Sequence, residues 1–305
     1  MKKIDLTDRD NYFYARGKYE KTFANNLRHG QRLKLHPLLL LLIHIKNKRA
    51  GFQIKLLENN SIPTDRPKIF CITHIGKFDI EVVSEIIGEH YYLLSGDFEN
   101  IHSTIEEKFL GYNGVIYVRE DDKEDRKLSK EKMIKILKNK GNIMYFPEGT
   151  WNLSPNLPVV KCSYGIIDVA MKAKAVIVPI AIEQYGKQFL SVIGQNFEVK
   201  KYSDDKKIMA IEDLRGNLAG LKWKIWESVQ LCIRKDISKD EFESFINERL
   251  KEWPNFTLNE FLARVYKPKG IEEPEKVFDF FKSINLKKEN AFLAKSQVEY
   301  HKRYL

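Results

Sequence analysis

The chain has 305 residues, 43% of them hydrophobic, and a formal net charge of +10, enough apolar material for one large core or a core with a small appendage. Cys71, Cys162 and Cys232 are odd in number and widely spaced, which excludes a disulfide framework and fits a reducing compartment. The seven histidines show no closely spaced ligand set, so no zinc site is expected, and the absence of a Gly-x-Ser-x-Gly elbow argues against a serine hydrolase.

Positive charge is concentrated at the start. Residues 1 to 66 hold 14 Lys+Arg against 6 Asp+Glu, a net +8 of the total +10. The same segment holds the strongest apolar run, Leu38 to Ile43, extended by His44 and Ile45. It is far shorter than the roughly 20 apolar residues that a membrane-spanning helix needs, and it lacks the position and cleavage site of a signal peptide. Arg28, Arg32 and Lys34 precede it, and Lys46, Lys48 and Arg49 follow. Two readings are open for this run: a core helix with solvated basic flanks, or an interfacial helix drawn to anionic headgroups. A nucleic-acid partner is not expected, because the charge surrounds a leucine run and no nucleic-acid module is present.

Strand and helix patterns then alternate. Phe52 to Leu56 reads as a strand, followed by the turn-rich stretch Glu58 to Arg66. Lys68 to Ile72 is short, apolar and β-prone, a buried strand. It runs into Thr73-His74-Ile75-Gly76-Lys77-Phe78-Asp79, after which apolar residues at 80, 83, 86 and 87 keep a helical period. His74 therefore falls in a strand-to-helix turn, with Asp79 at or near the helix start. An imidazole held by a carboxylate can take a proton from a hydroxyl near working pH. Cys71 points away from His74 on such a strand and reads as a buried small apolar group.

Further strands are predicted at Tyr91 to Leu94, at Gly114 to Arg119, before Pro147, over Ala175 to Ile182 and over Phe189 to Gly194. Helices are predicted over Ile101 to Leu110, within the charged run Glu120 to Lys140, and over Tyr164 to Ala173. Pro147 cannot continue a ladder and Gly149 permits a positive φ or a close approach, so Phe146-Pro147-Glu148-Gly149-Thr150 is a shaped loop at a strand end. Beyond about residue 200 the chain turns helical. Ser238-Lys239-Asp240-Glu241 and Thr257-Leu258-Asn259-Glu260 are capping-box patterns, and Trp253-Pro254 marks a break between the helices they open. The fold class expected is α/β, with a mixed, largely parallel sheet flanked by helices. The expected divisions are an N-terminal helical membrane anchor over residues 1–50, a central domain over 51–235 and a helical C-terminal extension over 236–305. The anchor helices proper are expected over about 15 to 50, broken near Gly30.

Four blocks in this order resemble the glycerophospholipid acyltransferases, the lysophosphatidic acid acyltransferases and their relatives. His74-x4-Asp79 matches the first block, Gly114-x-x-x-Val118-Arg119 approximates the second, Phe146 to Thr150 matches the third, and Val178-Pro179-Ile180 the fourth. The resemblance covers about residues 50 to 200. It implies that His74 is the general base on an acceptor hydroxyl and Asp79 its orienter. The donor would be acyl-CoA or an acidic acyl-carrier protein, a co-substrate, with no cofactor and no metal. The product would be formed on the cytoplasmic face of the cell membrane by a peripheral or monotopic enzyme. Glu148, Gly149 and Thr150 would shape the acceptor site and supply a backbone donor near the developing oxyanion.

Two positions depart from that pattern. Trp151 stands where the third block usually has an arginine, and Arg119 comes one position early in the second, leaving Glu120 in the usual arginine place. A one-residue slip on a strand turns a side chain to the other face unless a bulge compensates. Lys77 and Lys161 are then the substitutes for binding a phosphate. An aromatic at 151 suits a sugar or polyol face better than a phosphate. The acceptor is expected to be a lysophospholipid or glycerol-phosphate type molecule, with a non-phosphate polyol or glycolipid as the rival. A non-catalytic lipid-binding protein on the same fold is the other class, and the joint presence of His74, Asp79 and an intact Pro-Glu-Gly-Thr argues against it.

Overall fold

The computed structural model describes residues 8–19, 29–60, 62–63, 65–96, 110–152 and 157–229, with separate positions between 238 and 247. By its contacts the chain divides into Met1–Tyr266 and Lys267–Leu305, the second lying outside the described residues. So do the helix predicted over Ile101 to Leu110, apart from its last residue, the capping box at Thr257 and Cys232.

Helix α1 (Arg9–Tyr19) and helix α2 (His29–Ala50) precede strand β1 (Gln53–Asn59). Strand β2 (Lys68–Ile72) leads into helix α3 (Asp79–Ile87), and strands β3 (Tyr92–Ser95) and β4 (Val115–Tyr117) follow. Helix α4 (Lys123–Lys138), strand β5 (Ile143–Tyr145), helix α5 (Gly165–Ala173), strands β6 (Val176–Tyr185) and β7 (Gln188–Ile193) and helix α6 (Lys207–Glu227) complete the described elements. The seven strands form one sheet in the order β1-β7-β6-β2-β5-β3-β4. Every neighbouring pair is parallel except the β6–β7 hairpin. The sheet is thus mixed and largely parallel, as the alternation of patterns predicts.

Strand side chains alternate between faces, and β2 shows both sides of the core. Ile69 and Cys71 join the cluster under α4, α5 and α6, with Leu137, Ile166 and Leu214. Phe70 and Ile72 join the opposite cluster with Val82 and Val83 of α3 and Tyr12 of α1. With both faces covered, β2 is buried throughout, which is why it reads as an unbroken apolar run. The start of the second sequence block has a packing reason. Gly114 has φ 123°, and a Cβ there would lie 2.4 Å from the Tyr92 ring, so only glycine fits.

Helix α4 begins on Asp122, whose carboxylate accepts from the Asp125 amide at 2.9 Å, an ordinary N-cap. The capping box at 238 is formed: the Ser238 amide donates to Glu241 Oε2 at 2.7 Å, and the Glu241 amide donates to Ser238 Oγ at 3.2 Å.

Helix α2 resolves the two readings of the leucine run by dividing it. Leu39 and Ile43 pack inward with Arg32, His36 and Asn47, whereas Leu38, Leu41, Leu42 and Ile45 face outward. Arg32, placed above among the cations flanking an interfacial helix, is buried instead. Its Nη1 donates to the carbonyls of Gly111 and Tyr112 at 3.2 and 2.6 Å, and its guanidinium lies 5.5 Å from the Tyr92 ring centroid. Lys46 also turns to the protein, donating to Glu81 Oε1 at 3.1 Å. Lys34, Lys48 and Arg49 remain exposed. No described helix is long and apolar enough to cross a membrane.

Candidate active site

Parallel strands bring their C-terminal ends to one edge of the sheet, where sites of open α/β sheets lie. His74 follows β2, Glu120 follows β4, and the loop from Phe146 to Trp151 follows β5. Because β2 pairs with β5, the histidine turn and the Pro-Glu-Gly-Thr loop leave the sheet side by side.

Asp79 is the first residue of α3 and only 1% exposed. Its Oδ2 accepts from the amides of Ile75 and Gly76 at 2.6 and 3.0 Å and lies 2.8 Å from His74 Nδ1. An ionised carboxylate only accepts, so Nδ1 carries the hydrogen and Nε2 keeps its lone pair. The gap of four residues between His74 and Asp79 is the length of the strand-to-helix turn that the carboxylate closes. The imidazole stacks on Phe146, centroids 4.3 Å apart and planes 29° apart, and meets Trp151 edge-on at 6.3 Å. Two aromatic walls thus hold the ring.

Glu148 acts beneath the histidine. It is 2% exposed, with Oε1 accepting from the His74 amide and Oε2 from the Val160 amide, both at 2.9 Å. The Asn152 amide donates to the His74 carbonyl at 2.7 Å. The loop therefore grips the His74 peptide from both sides, and Glu148 positions the histidine. Burial raises the Glu148 carboxyl to about 7, against the opposing pull of those two amides. Gly149 has φ 68°, a left-handed conformation that glycine adopts without strain. Thr150 and Trp151 are both buried beside it. Burial also pushes the Cys71 thiol well up, so it stays a protonated, unreactive core group.

The cations singled out in the sequence are placed as follows. Arg119 turns to Asp121, its Nε donating at 3.0 Å, and its guanidinium lies 5.4 Å from the Tyr12 ring centroid. Lys77 is exposed, with Nζ 5.7 Å from the Phe78 ring centroid. Lys161 is half-buried beside Cys162. Glu120 carries its carboxylate over the loop: Oε1 lies 3.4 Å from where a Cβ on Gly149 would be. Sequence reasoning left the bracing roles of Glu148 and Phe146 unread, because their contacts with His74 cross 70 residues or more of chain.

Residues 53–183 match the family model named Acyltransferase. A solved structure, that of the 1-acyl-sn-glycerophosphate (LPA) acyltransferase PlsC from Thermotoga maritima, is similar in fold, with a TM-score of 0.53. It is 16% identical in sequence, and the match covers 72% of this chain and 91% of that one. No curated protein gives a significant match. The central part of the chain thus matches an acyltransferase family model, on a fold similar to that of PlsC.

Proposed function

We propose that the protein moves a fatty acyl group from an acyl thioester, acyl-CoA or an acyl-carrier protein, to a hydroxyl of a lysolipid of glycerophospholipid type. The contact that carries this reading is His74 Nδ1 to Asp79 Oδ2 at 2.8 Å, which fixes the tautomer and leaves Nε2 as the base. The acceptor oxygen attacks the thioester carbonyl while its proton passes to Nε2. The tetrahedral intermediate then expels the thiolate, which takes that proton back from the imidazolium, so the base is regenerated and no acyl-enzyme forms. Positive charge on the ring is balanced by Asp79, and the turn around Gly149 to Thr150 is where backbone donors would meet the developing oxyanion.

The membrane enters through α2. Its outward leucines and an apolar recess formed with Leu35, Leu39 and Tyr112 suit peripheral seating on a lipid surface, with anionic headgroups meeting Lys34, Lys48 and Arg49. The cytoplasmic face, where acyl thioesters are supplied, is the side that this reading assigns to the enzyme. The test is product identification by mass spectrometry after incubation of labelled acyl-CoA or acyl-carrier protein with a panel of lysolipids, glycolipids and polyols. Failure of wild-type protein to acylate any of them, or equal turnover by folded His74→Ala, overturns the reading.

A further inference from the structure

We infer that Thr73 and Lys222 are positioning residues for His74: together they fasten the end of β2 to β6 at the residue before the base. The inference rests on the acyl-transfer reading and adds a second brace, on the side of the histidine away from the Glu148 loop.

Strand β2 lies between β5 and β6, so the loop after β5 holds one flank of the histidine turn. On the other flank the ladder runs out early. The β2–β6 pairing ends at Ile72 and Ile180, whereas β6 continues to Tyr185. Thr73 adds one more backbone contact, its amide donating to the Ile180 carbonyl at 3.1 Å. Ile182, two residues beyond that pairing, is fully buried and lies past the end of β2. Buried amides and carbonyls need partners, and here side chains supply them. The Ile182 amide donates to Thr73 Oγ1 at 3.1 Å, and the Ile182 carbonyl accepts from Lys222 Nζ at 2.9 Å.

Both side chains are deeply buried for polar groups, Thr73 at 0% and Lys222 at 2% exposure. Lys222 Nζ also donates to Glu183 Oε1 at 2.7 Å, and that oxygen accepts from Trp226 Nε1 at 3.0 Å. Lys222 rides on α6, whose Leu221 and Ile225 pack with Ala181 and Val192 of the sheet, so a rigid element delivers the ammonium. A valine has the bulk of threonine and would fill the place before His74 as well; the hydroxyl adds a fixed direction. The histidine turn is thus tied on one side to β6 through Thr73 and on the other to the β5 loop through Glu148 and Asn152. Such ties matter because a base must stand within hydrogen-bond reach of the acceptor hydroxyl, and a shift of about 1 Å can cost about 100-fold in rate.

Lys222 also acts through its charge. Burial raises the Glu148 carboxyl to about 7, while the His74 amide and then the Lys222 ammonium oppose that rise. Ionised Glu148 accepts with both oxygens, so Lys222 favours the form that grips the His74 amide. The other titratable groups facing Glu148 are His74 and the thiols of Cys71 and Cys162, which burial keeps protonated.

The test measures kcat and KM across neutral pH with palmitoyl-CoA, lysophosphatidic acid and the full-length protein, alongside thermal melts. Thr73→Val should lower kcat about 10- to 100-fold with little change in either KM. Thr73→Ser, which keeps the hydroxyl, should restore most of that loss. Lys222→Met should lower kcat and move the acid limb of its pH profile up by about one pH unit, because a carboxyl that loses a nearby cation is easier to protonate. A merely structural role would lower melting temperatures yet leave kcat per folded molecule and the acid limb as they are in wild type. Wild-type kcat in folded Thr73→Val, or Thr73→Ser as impaired as Thr73→Val, overturns the inference; an unmoved acid limb in Lys222→Met overturns the role given to Lys222. The Thr73 variants remove no charge and decide the matter even where Lys222→Met does not fold. No turnover by wild type with any donor and lysolipid would instead remove the acyl-transfer reading itself.

Discussion

Helix α2 and the turn at His74 both bury polar side chains, but on opposite terms. At the turn, Asp79 accepts through Oδ2 from the Ile75 and Gly76 amides and Glu148 accepts through both oxygens from the His74 and Val160 amides. In α2 the polar residues Arg32, His36 and Asn47 point into the protein, while Leu38, Leu41, Leu42 and Ile45 point out. The first arrangement holds one imidazole in one tautomer. The second is a helix whose inner face mixes Leu39 and Ile43 with polar contacts such as Asn47 to Glu85 at 2.8 Å, and whose outer face still carries apolar side chains. The contrast separates a turn fixed by buried polar contacts from a helix that leaves apolar side chains exposed.

The largest expected effect breaks the turn. His74→Ala should lower acyl transfer by about 10²- to 10⁴-fold, the usual worth of a general base, with the melting temperature little changed. Asp79→Asn should fall in the same range, because a neutral amide cannot balance the positive charge that develops on the imidazole. Steady-state assays and thermal melts on the same preparations separate loss of base from loss of fold.

Next comes the division within α2. Ile43, 7% exposed, should cost about 2–5 kcal/mol when cut to alanine. Leu41, 53% exposed, should cost within about 0.5 kcal/mol in lipid-free buffer. Denaturant unfolding would measure both. Equal losses would mean that the outward face is covered in the free protein.

A third effect is set by pH at Glu148. Its folded pKa of about 7 lies above the ordinary carboxyl value of 4.5, so the carboxyl is easier to keep protonated in the fold than in the unfolded chain. The associated stability is fully present below about pH 4.5 and is lost as pH rises through about 7, up to about 3 kcal/mol in all. Glu148→Gln should be less stable at pH 5, since its amide group faces one of the two backbone N–H donors. It should also show a flatter decline between pH 5 and 8.5, which melting curves across that range would reveal. A wild-type melting temperature that rises over the same interval would contradict the assignment.

Much of this was legible because the informative contacts are local. The His74–Asp79 pair spans one turn, the strand before it is an unbroken apolar run, and the 238 capping box is written in four residues. The long-range parts were not. Glu148 reads in sequence as a loop residue shaping the acceptor site, and its grip on the His74 and Val160 amides shows only in the fold. Arg32 reads as a surface cation because composition cannot show the Gly111 and Tyr112 carbonyls that receive it. The order of strands, with β1 beside β7 and β2 between β6 and β5, is likewise a matter of crossovers that periodicity does not encode.

The smallest effect sharpens the same comparison at the lipid surface. Of the basic residues flanking the leucine run, Lys34, Lys48 and Arg49 stay exposed while Arg32 and Lys46 are engaged by the protein. Each exposed cation near an anionic surface should contribute about 1 kcal/mol. Reversing all three to glutamate should therefore weaken co-sedimentation with vesicles containing anionic lipid, most at low salt, because screening sets in over roughly 10 Å at 0.1 M. Leu38, Leu41 and Leu42 changed to serine should weaken binding to neutral vesicles as well, where the charge reversals have no effect. Arg32→Ala serves as the contrasting variant: it should lower the melting temperature by removing a buried cation from its carbonyls, yet leave the salt dependence of vesicle binding as it is in wild type. If instead the triple charge reversal leaves co-sedimentation unchanged at every salt concentration, the outward face of α2 meets protein and not lipid.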